Sequence, residues 1–228
     1  MSHAAVCVMS GGMDSAVCAF IAKSKGYEII ALHFDYQQRT MEKERQCFEK
    51  LCEDLQVAKK VVINADFIAQ IGGNSLTDTS LPIRENGLHH QEIPNSYVPY
   101  RNGVFLSIAA AVAQKEQAHD IFIGVVQEDS SGYPDCTQDF IDKINVAIQS
   151  GTSEKITIHA PLLHLTKADI VQQAIRFRVP LEHTWSCYQN QQTPCGVCDS
   201  CLLRKRGFQL ACATDPIYGE FSGSLKGL

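Results

Sequence analysis

The apolar run Ala4-Ala5-Val6-Cys7-Val8-Met9 breaks into Ser10-Gly11-Gly12-Met13-Asp14-Ser15 and resumes as Ala16-Val17-Cys18-Ala19-Phe20-Ile21-Ala22. That order reads as a buried strand, a tight glycine turn and a helix. Such a turn aims consecutive backbone N–H groups and a helix N-terminus at one spot, which suits a polyanion. Gly11 and Gly12 allow close approach with no Cβ in the way. Ser10 and Ser15 add hydroxyl donors, and Asp14 can hold Mg²⁺ on phosphates. Neither the dinucleotide G-x-G-x-x-G nor the Walker G-K-[ST] is present.

The alternation continues down the chain. Glu28 to Phe34 reads as a second buried strand, Thr40 to about Leu55 as a charged amphipathic helix, and Lys60 to Ile63 as a third strand. From Phe67 to Tyr100 the periodicity fails and a long loop is expected, of the kind that covers a site. An alanine-rich helix follows from Val104 to about Gln117, with Arg101 and Asn102 at its start. Asp120 to Val125 is a fourth strand, Gln138 to Ser150 a helix, and Lys155 to Ala160 a fifth strand. Thr166-Lys167-Ala168-Asp169 has the spacing of a capping box opening the next helix. Short apolar strands alternating with helices predict a doubly wound α/β domain, with a mainly parallel five-stranded sheet. It is expected over residues 1–180, with a small C-terminal metal-binding lobe over 181–228.

In such a sheet, ligands sit beyond the strand C-termini, where the strand order switches. Phe34 and Asp35, at the second strand's end, are candidates for adenine or ribose, as is Tyr36. Arg101 and Asn102 are placed to hold an anion, and Lys167 to reach a phosphate or leaving pyrophosphate. The loop after the fourth strand, Gln127 to Cys136, is rich in polar groups.

Net charge is −5, which disfavours an electrostatic grip on long nucleic acid. No apolar stretch approaches a membrane span and no signal-peptide pattern opens the chain, so a cytoplasmic protein is expected. The ten cysteines then read as reduced thiols. Four of them, Cys187, Cys195, Cys198 and Cys201, have spacings that fit a closed tetrahedral Zn²⁺ site of structural type. An iron–sulfur cluster is the rival reading, but Leu202-Leu203-Arg204-Lys205 lacks the cysteine and proline of ferredoxin runs. Arg204, Lys205 and Arg206 follow, expected to offset the thiolate charge.

S-G-G-M-D-S resembles the pyrophosphate loop of ATP pyrophosphatases. Five further stretches extend the resemblance over nearly the whole chain: F-D-Y-x-Q-R at Phe34–Arg39, V-P-x-R-N at Val98–Asn102, and G-V-x-x-E-D-x-S-G-Y-P-D-C at Gly124–Cys136. The others are P-L-x-x-x-x-K-A at Pro161–Ala168 and C-Y with P-C-G-x-C-x-x-C-x-L-R at Pro194–Arg204. Together they resemble the 7-cyano-7-deazaguanine synthases, ligases of queuosine-precursor biosynthesis with an adenine-nucleotide α-hydrolase-like fold. The resemblance implies 7-carboxy-7-deazaguanine, ammonia and ATP as substrates, Mg²⁺ and one structural Zn²⁺ as metals, and a homodimer. It places ATP on Met9–Ser15, Phe34, Asp35, Arg101, Asn102 and Lys167, with Asp14, Lys167 and Arg101 as the catalytic set.

A guanine-like edge presents N–H donors that carboxylates accept, and Glu128, Asp129 and Asp135 are the acids in one loop, beside Ser131 and Tyr133. Two positions depart from the family pattern: Gln37 stands where glycine is usual, and Thr137 where a basic residue is usual. These leave open a relative that stops at the amide or joins the deazaguanine to another amine. A tRNA thiolase or lysidine-type enzyme shares the loop chemistry, but the acidic charge and the structural cysteine spacing argue against it. A nucleotide-binding module without catalysis would reduce Asp14 to a helix cap.

Overall fold

The computed structural model describes residues 3–85, 92–127 and 132–218. Strand β1 (Ala4–Val8) leads to helix α1 (Met13–Ser24), β2 (Glu28–Asp35) to α2 (Met41–Leu55), and β3 (Lys59–Asn64) to the short α3 (Phe67–Ile71). Then come α4 (Arg101–Lys115), β4 (Asp120–Ile123), α5 (Gln138–Gly151), β5 (Thr157–His159), α6 (Lys167–Arg176) and α7 (Asp199–Leu210).

The five strands form one parallel sheet in the order β3-β2-β1-β4-β5. β1 is central because its residues are apolar on both faces. Val8 pairs with Leu32 on one side and with Ile123 on the other. One face packs Leu106, Ala109 and Ala113 of α4 and Ile141, Ile144 and Ile148 of α5. The other packs Ala16, Val17 and Ala19 of α1, Phe48 and Leu51 of α2, and Ile170 and Val171 of α6. Fully buried side chains such as Phe48 and Phe122 each contribute about 1.5–3 kcal/mol by leaving water. The strand order runs outward in both directions from β1, so the ligand crevice falls beyond the C-termini of β1 and β4.

Several boundaries differ from the sequence expectation. Helix α3 interrupts the stretch read as irregular; five residues are too few to display a helical period. Strand β4 stops at Ile123, because Gly124 already packs against the first turn of α1. Strand β5 keeps only Thr157–His159. Helix α4 begins at Arg101, not Val104. Its cap comes from afar: the Asp135 carboxylate accepts the Asn102 backbone N–H at 2.9 Å. Asn102 therefore lies inside the helix, and its amide reaches the Asp135 carbonyl at 3.2 Å and Cys136 Sγ at 3.3 Å.

Arg204 corrects a second expectation. Its guanidinium is fully buried, and the hydrogen bonds it makes go to Asp215, Thr184, Ser186 and the Leu181 carbonyl rather than to a cysteine. It makes a forked pair with Asp215 at 2.7 and 3.0 Å and donates to Thr184 Oγ1 at 2.8 Å. Lys205 alone of the three cations turns to the cysteine loop, donating to the Gly196 carbonyl at 3.1 Å, while Arg206 is exposed. Breaking a buried pair strands its partner's charge, so Arg204→Met is expected to cost on the order of 3–5 kcal/mol in urea denaturation. A cost below about 1 kcal/mol would show that the pair is not desolvated in solution.

Candidate active site

A cavity of about 250 Å³ opens at the β1/β4 crevice. Its floor is the loop from Met9 to Ser15, with Gly124, Val125 and Val126 beyond β4. Phe34, Tyr36, Gln38 and Glu44 form one wall, and Arg101, Asn102, Phe105 and Tyr133 another. Lys167 and the C-terminal residues Trp185, Ser186, Tyr188 and Arg204 close it.

The loop is fixed by its own hydroxyls. Ser15 Oγ donates to the Gly12 carbonyl at 3.0 Å and accepts the Ser10 N–H at 3.1 Å. The Gly12 N–H donates to Ser10 Oγ at 3.2 Å. Gly11 serves packing and does not line the cavity. Its φ is +84°, and a Cβ there would sit 2.3 Å from the Glu44 carbonyl oxygen of α2. The Gly11 carbonyl in turn accepts the Trp185 N–H at 2.9 Å, which stitches the loop to the C-terminal segment. Gly124 stands out in the sequence only as the first residue of the Gly124–Cys136 stretch, yet a Cβ there would lie 2.7 Å from the Asp14 carbonyl oxygen. Gly124→Ala is thus expected to displace the loop and destabilise the fold by about 1–3 kcal/mol, read by denaturant titration. An alanine variant as stable as the parent would contradict this close approach.

The charged groups have unequal partners. Lys167 Nζ donates to Asp14 Oδ2 at 2.8 Å, while Asp14 Oδ1 is buried with no hydrogen-bond partner among the described residues. An orphaned carboxylate oxygen beside a glycine–serine loop at a helix N-terminus fits a hard divalent cation that takes oxygen ligands. The Thr166/Asp169 capping box is present in full and sets Lys167 at the first turn of α6. Arg101 donates to the Tyr36 hydroxyl at 3.0 Å and meets no carboxylate among the described residues. Phe34 stacks on Phe105 with ring centroids 3.9 Å apart.

Asp35 faces elsewhere. Its carboxylate pairs with Arg45 at 2.7 Å, and Phe34 and Tyr36 on either side line the cavity instead. Gln37 has φ +61°, a left-handed conformation that favours glycine. Thr137 caps α5, accepting the Phe140 N–H at 3.2 Å, a bond no basic side chain would supply. Tyr133 lines the cavity and its hydroxyl pairs with Ser96 Oγ at 3.0 Å. Asp135 is buried behind the wall as the α4 anchor, and burial pushes its pKa up. Glu128, Asp129 and Ser131 lie outside the described residues. The sequence reading did not single out Glu44, Ser186 or Tyr188; the last two flank Cys187, which was the available signal.

The thiols of Cys187, Cys195, Cys198 and Cys201 lie within 4.8 Å of one another, and Cys195 and Cys201 Sγ are 3.8 Å apart. Tetrahedral thiolate ligation of Zn²⁺ at about 2.3 Å places sulfurs roughly 3.8 Å apart, so the set fits. Cys187 Sγ accepts N–H groups of Gln189, Asn190 and Cys195 at 3.3–3.4 Å, an arrangement that stabilises a thiolate.

A family model described as "Queuosine biosynthesis protein QueC" matches residues 4–212. A protein of Campylobacter hominis named 7-cyano-7-deazaguanine synthase is 60% identical over 215 residues, covering 93% of this chain and 98% of that protein. One of the same name from Campylobacter jejuni subsp. doylei is 56% identical over 220 residues, covering 95% and 98%. Among solved structures, a 4-thiouridine synthetase in complex with RNA and ATP aligns with TM-score 0.54 at 18% identity. That alignment covers 91% of this chain but about half (53%) of the larger protein. An NMN synthetase from Francisella tularensis aligns with TM-score 0.50 at 16% identity, covering 99% and 81%. At such identities the likeness is one of fold.

Proposed function

The chain belongs to the family described as queuosine biosynthesis protein QueC, and from that membership we propose that it is a 7-cyano-7-deazaguanine synthase. It converts 7-carboxy-7-deazaguanine and ammonia to 7-cyano-7-deazaguanine with ATP as co-substrate. The observation that carries this reading is the Asp14–Lys167 pair over the β1 loop, with one Asp14 oxygen left unpartnered among the described residues.

A carboxylate is a poor electrophile and must first gain a leaving group. The backbone N–H groups and hydroxyls of Ser10–Ser15 hold the triphosphate so that the substrate carboxylate attacks the α-phosphorus, releasing pyrophosphate and leaving an acyl adenylate. Ammonia then displaces AMP to give the amide. A second adenylation, at the amide oxygen, and loss of AMP give the nitrile. Lys167 and Arg101 neutralise the charge that builds on the departing pyrophosphate. Asp14 would hold Mg²⁺, which when bound screens the phosphate charge and orients the triphosphate. Phe34, Tyr36 and Phe105 offer ring faces to adenine, with Met9, Met13 and Asn102 completing the nucleotide wall.

Cys187, Cys195, Cys198 and Cys201 would hold one structural Zn²⁺, since four thiolates leave no open position. Residues 1–180 form the ATP domain in this reading and 181–228 the zinc lobe, supported by the lobe's own cysteine set and its bond to Gly11. No helix among the described residues is long and apolar enough to cross a membrane. A cytoplasmic homodimer with no nucleic-acid partner completes the proposal, on the family resemblance.

Incubation with 7-carboxy-7-deazaguanine, ATP, Mg²⁺ and ammonium, followed by mass spectrometry, tests the reading. Nitrile is expected; amide as the final product would move the assignment to a truncated reaction, and acid left intact would overturn it.

A further inference from the structure

The reaction needs a group that tells a deazaguanine from other acids, and the carboxylates lining the cavity narrow the choice. Among the described residues they are Asp14 and Glu44. Asp14 is committed to the phosphate loop through Lys167. Asp135 gives its Oδ2 to the Asn102 N–H of α4, and although its Oδ1 has no hydrogen-bond partner among the described residues, the residue lies outside the cavity lining.

Glu44 is built differently. Its Oε2 accepts the Gln38 amide at 3.0 Å and its Oε1 the Thr40 hydroxyl at 2.6 Å. Gln38 is itself oriented by the Tyr36 N–H, which donates to its Oε1 at 3.0 Å. Gln38 and Thr40 are buried, at 5% and 2% exposure, so the carboxylate is held in one position. No cation lies within ion-pair distance of it among the described residues. A carboxylate oxygen has two acceptor sites, so each retains one after the Gln38 and Thr40 bonds. Burial raises the Glu44 pKa, against the opposing pull of the Thr40 and Gln38 bonds and of the Arg101 charge. A fixed carboxylate lining a cavity, with no ion-pair partner among the described residues and one acceptor site open on each oxygen, matches a flat ligand edge carrying two parallel N–H donors.

We propose that Glu44 reads the pyrimidine edge of the deazaguanine acid, its two oxygens accepting the ring N1–H and the 2-amino group. The assignment rests on the ligase reading above and adds the residue that sets substrate specificity. Gln38 and Thr40 act as positioning residues behind it.

The test measures acid-dependent pyrophosphate release while 7-carboxy-7-deazaguanine, ATP and ammonium are varied in turn. In Glu44→Gln the KM for the acid rises roughly tenfold or more, the value of a bidentate contact, while KM for ATP and ammonium stays within about threefold. Wild type disfavours the analogue lacking the 2-amino group by roughly tenfold, and Glu44→Gln treats the two acids alike. If Glu44→Gln fails to fold, Thr40→Val, which strips one donor from the same carboxylate, must still narrow that discrimination. An unchanged KM for the acid, or a rise confined to ammonium or ATP, overturns the assignment. Wild-type protein with no acid-dependent release overturns the ligase reading first, so the two failures are distinguishable.

Discussion

Asp14→Asn is expected to lower acid-dependent pyrophosphate release by on the order of 100- to 1,000-fold while the fold survives. The two Asp14 oxygens face different demands: one accepts Lys167, and the other is buried with no donor among the described residues. Asparagine keeps the size of the side chain but loses the charge that would hold Mg²⁺ and balance Lys167. A purely structural role makes a different forecast. Asp14 lies in the first turn of α1, where an acid stabilises the helix dipole by about 0.3–1 kcal/mol. Were that its whole contribution, Asn would shift the melting temperature slightly and leave catalysis intact. Circular dichroism and a pyrophosphate assay on one preparation separate the two readings.

Cys198→Ser is expected to empty the metal site and destabilise the C-terminal segment. Elemental analysis should find about one zinc per wild-type chain and almost none in the variant. The consequence should reach the ATP loop, because the Trp185 N–H bonded to the Gly11 carbonyl lies two residues before Cys187. A lower melting temperature and a several-fold higher KM for ATP are therefore expected together. Iron with visible absorbance in the wild type would contradict the zinc assignment. An unchanged KM for ATP in a metal-free variant would contradict the coupling to the loop.

What was legible in the sequence was local. β1, its turn and α1 are encoded by contiguous residues, and the Lys167 position by a four-residue capping box. The four cysteines lie within one short stretch and could be grouped by spacing alone. What was illegible depended on partners distant in sequence. The start of α4 is set by Asp135, thirty-three residues away. Arg204 looked like one member of a basic run, and only the fold brings Asp215 and Thr184 to it. Glu44 was hidden among the acids of a charged helix, where sequence does not say which one faces inward.

The direction of the Asp35 side chain follows from strand geometry. Phe34, Asp35 and Tyr36 alternate about an extended backbone, so Phe34 and Tyr36 share a face and Asp35 takes the other. The cavity lies on the aromatic side, and Asp35 is left to Arg45.

The most direct measurement is the fate of the substrate oxygens. 7-Carboxy-7-deazaguanine labelled with oxygen-18 in its carboxylate is turned over with ATP and ammonium, and the nucleotide and phosphate products are weighed by mass spectrometry. Adenylation at the β1 loop carries the label into AMP, one atom at each activation, with pyrophosphate unlabelled. Label in inorganic phosphate alongside ADP would mean attack at the γ-phosphorus, and would contradict the chemistry assigned to Ser10–Ser15, Asp14 and Lys167.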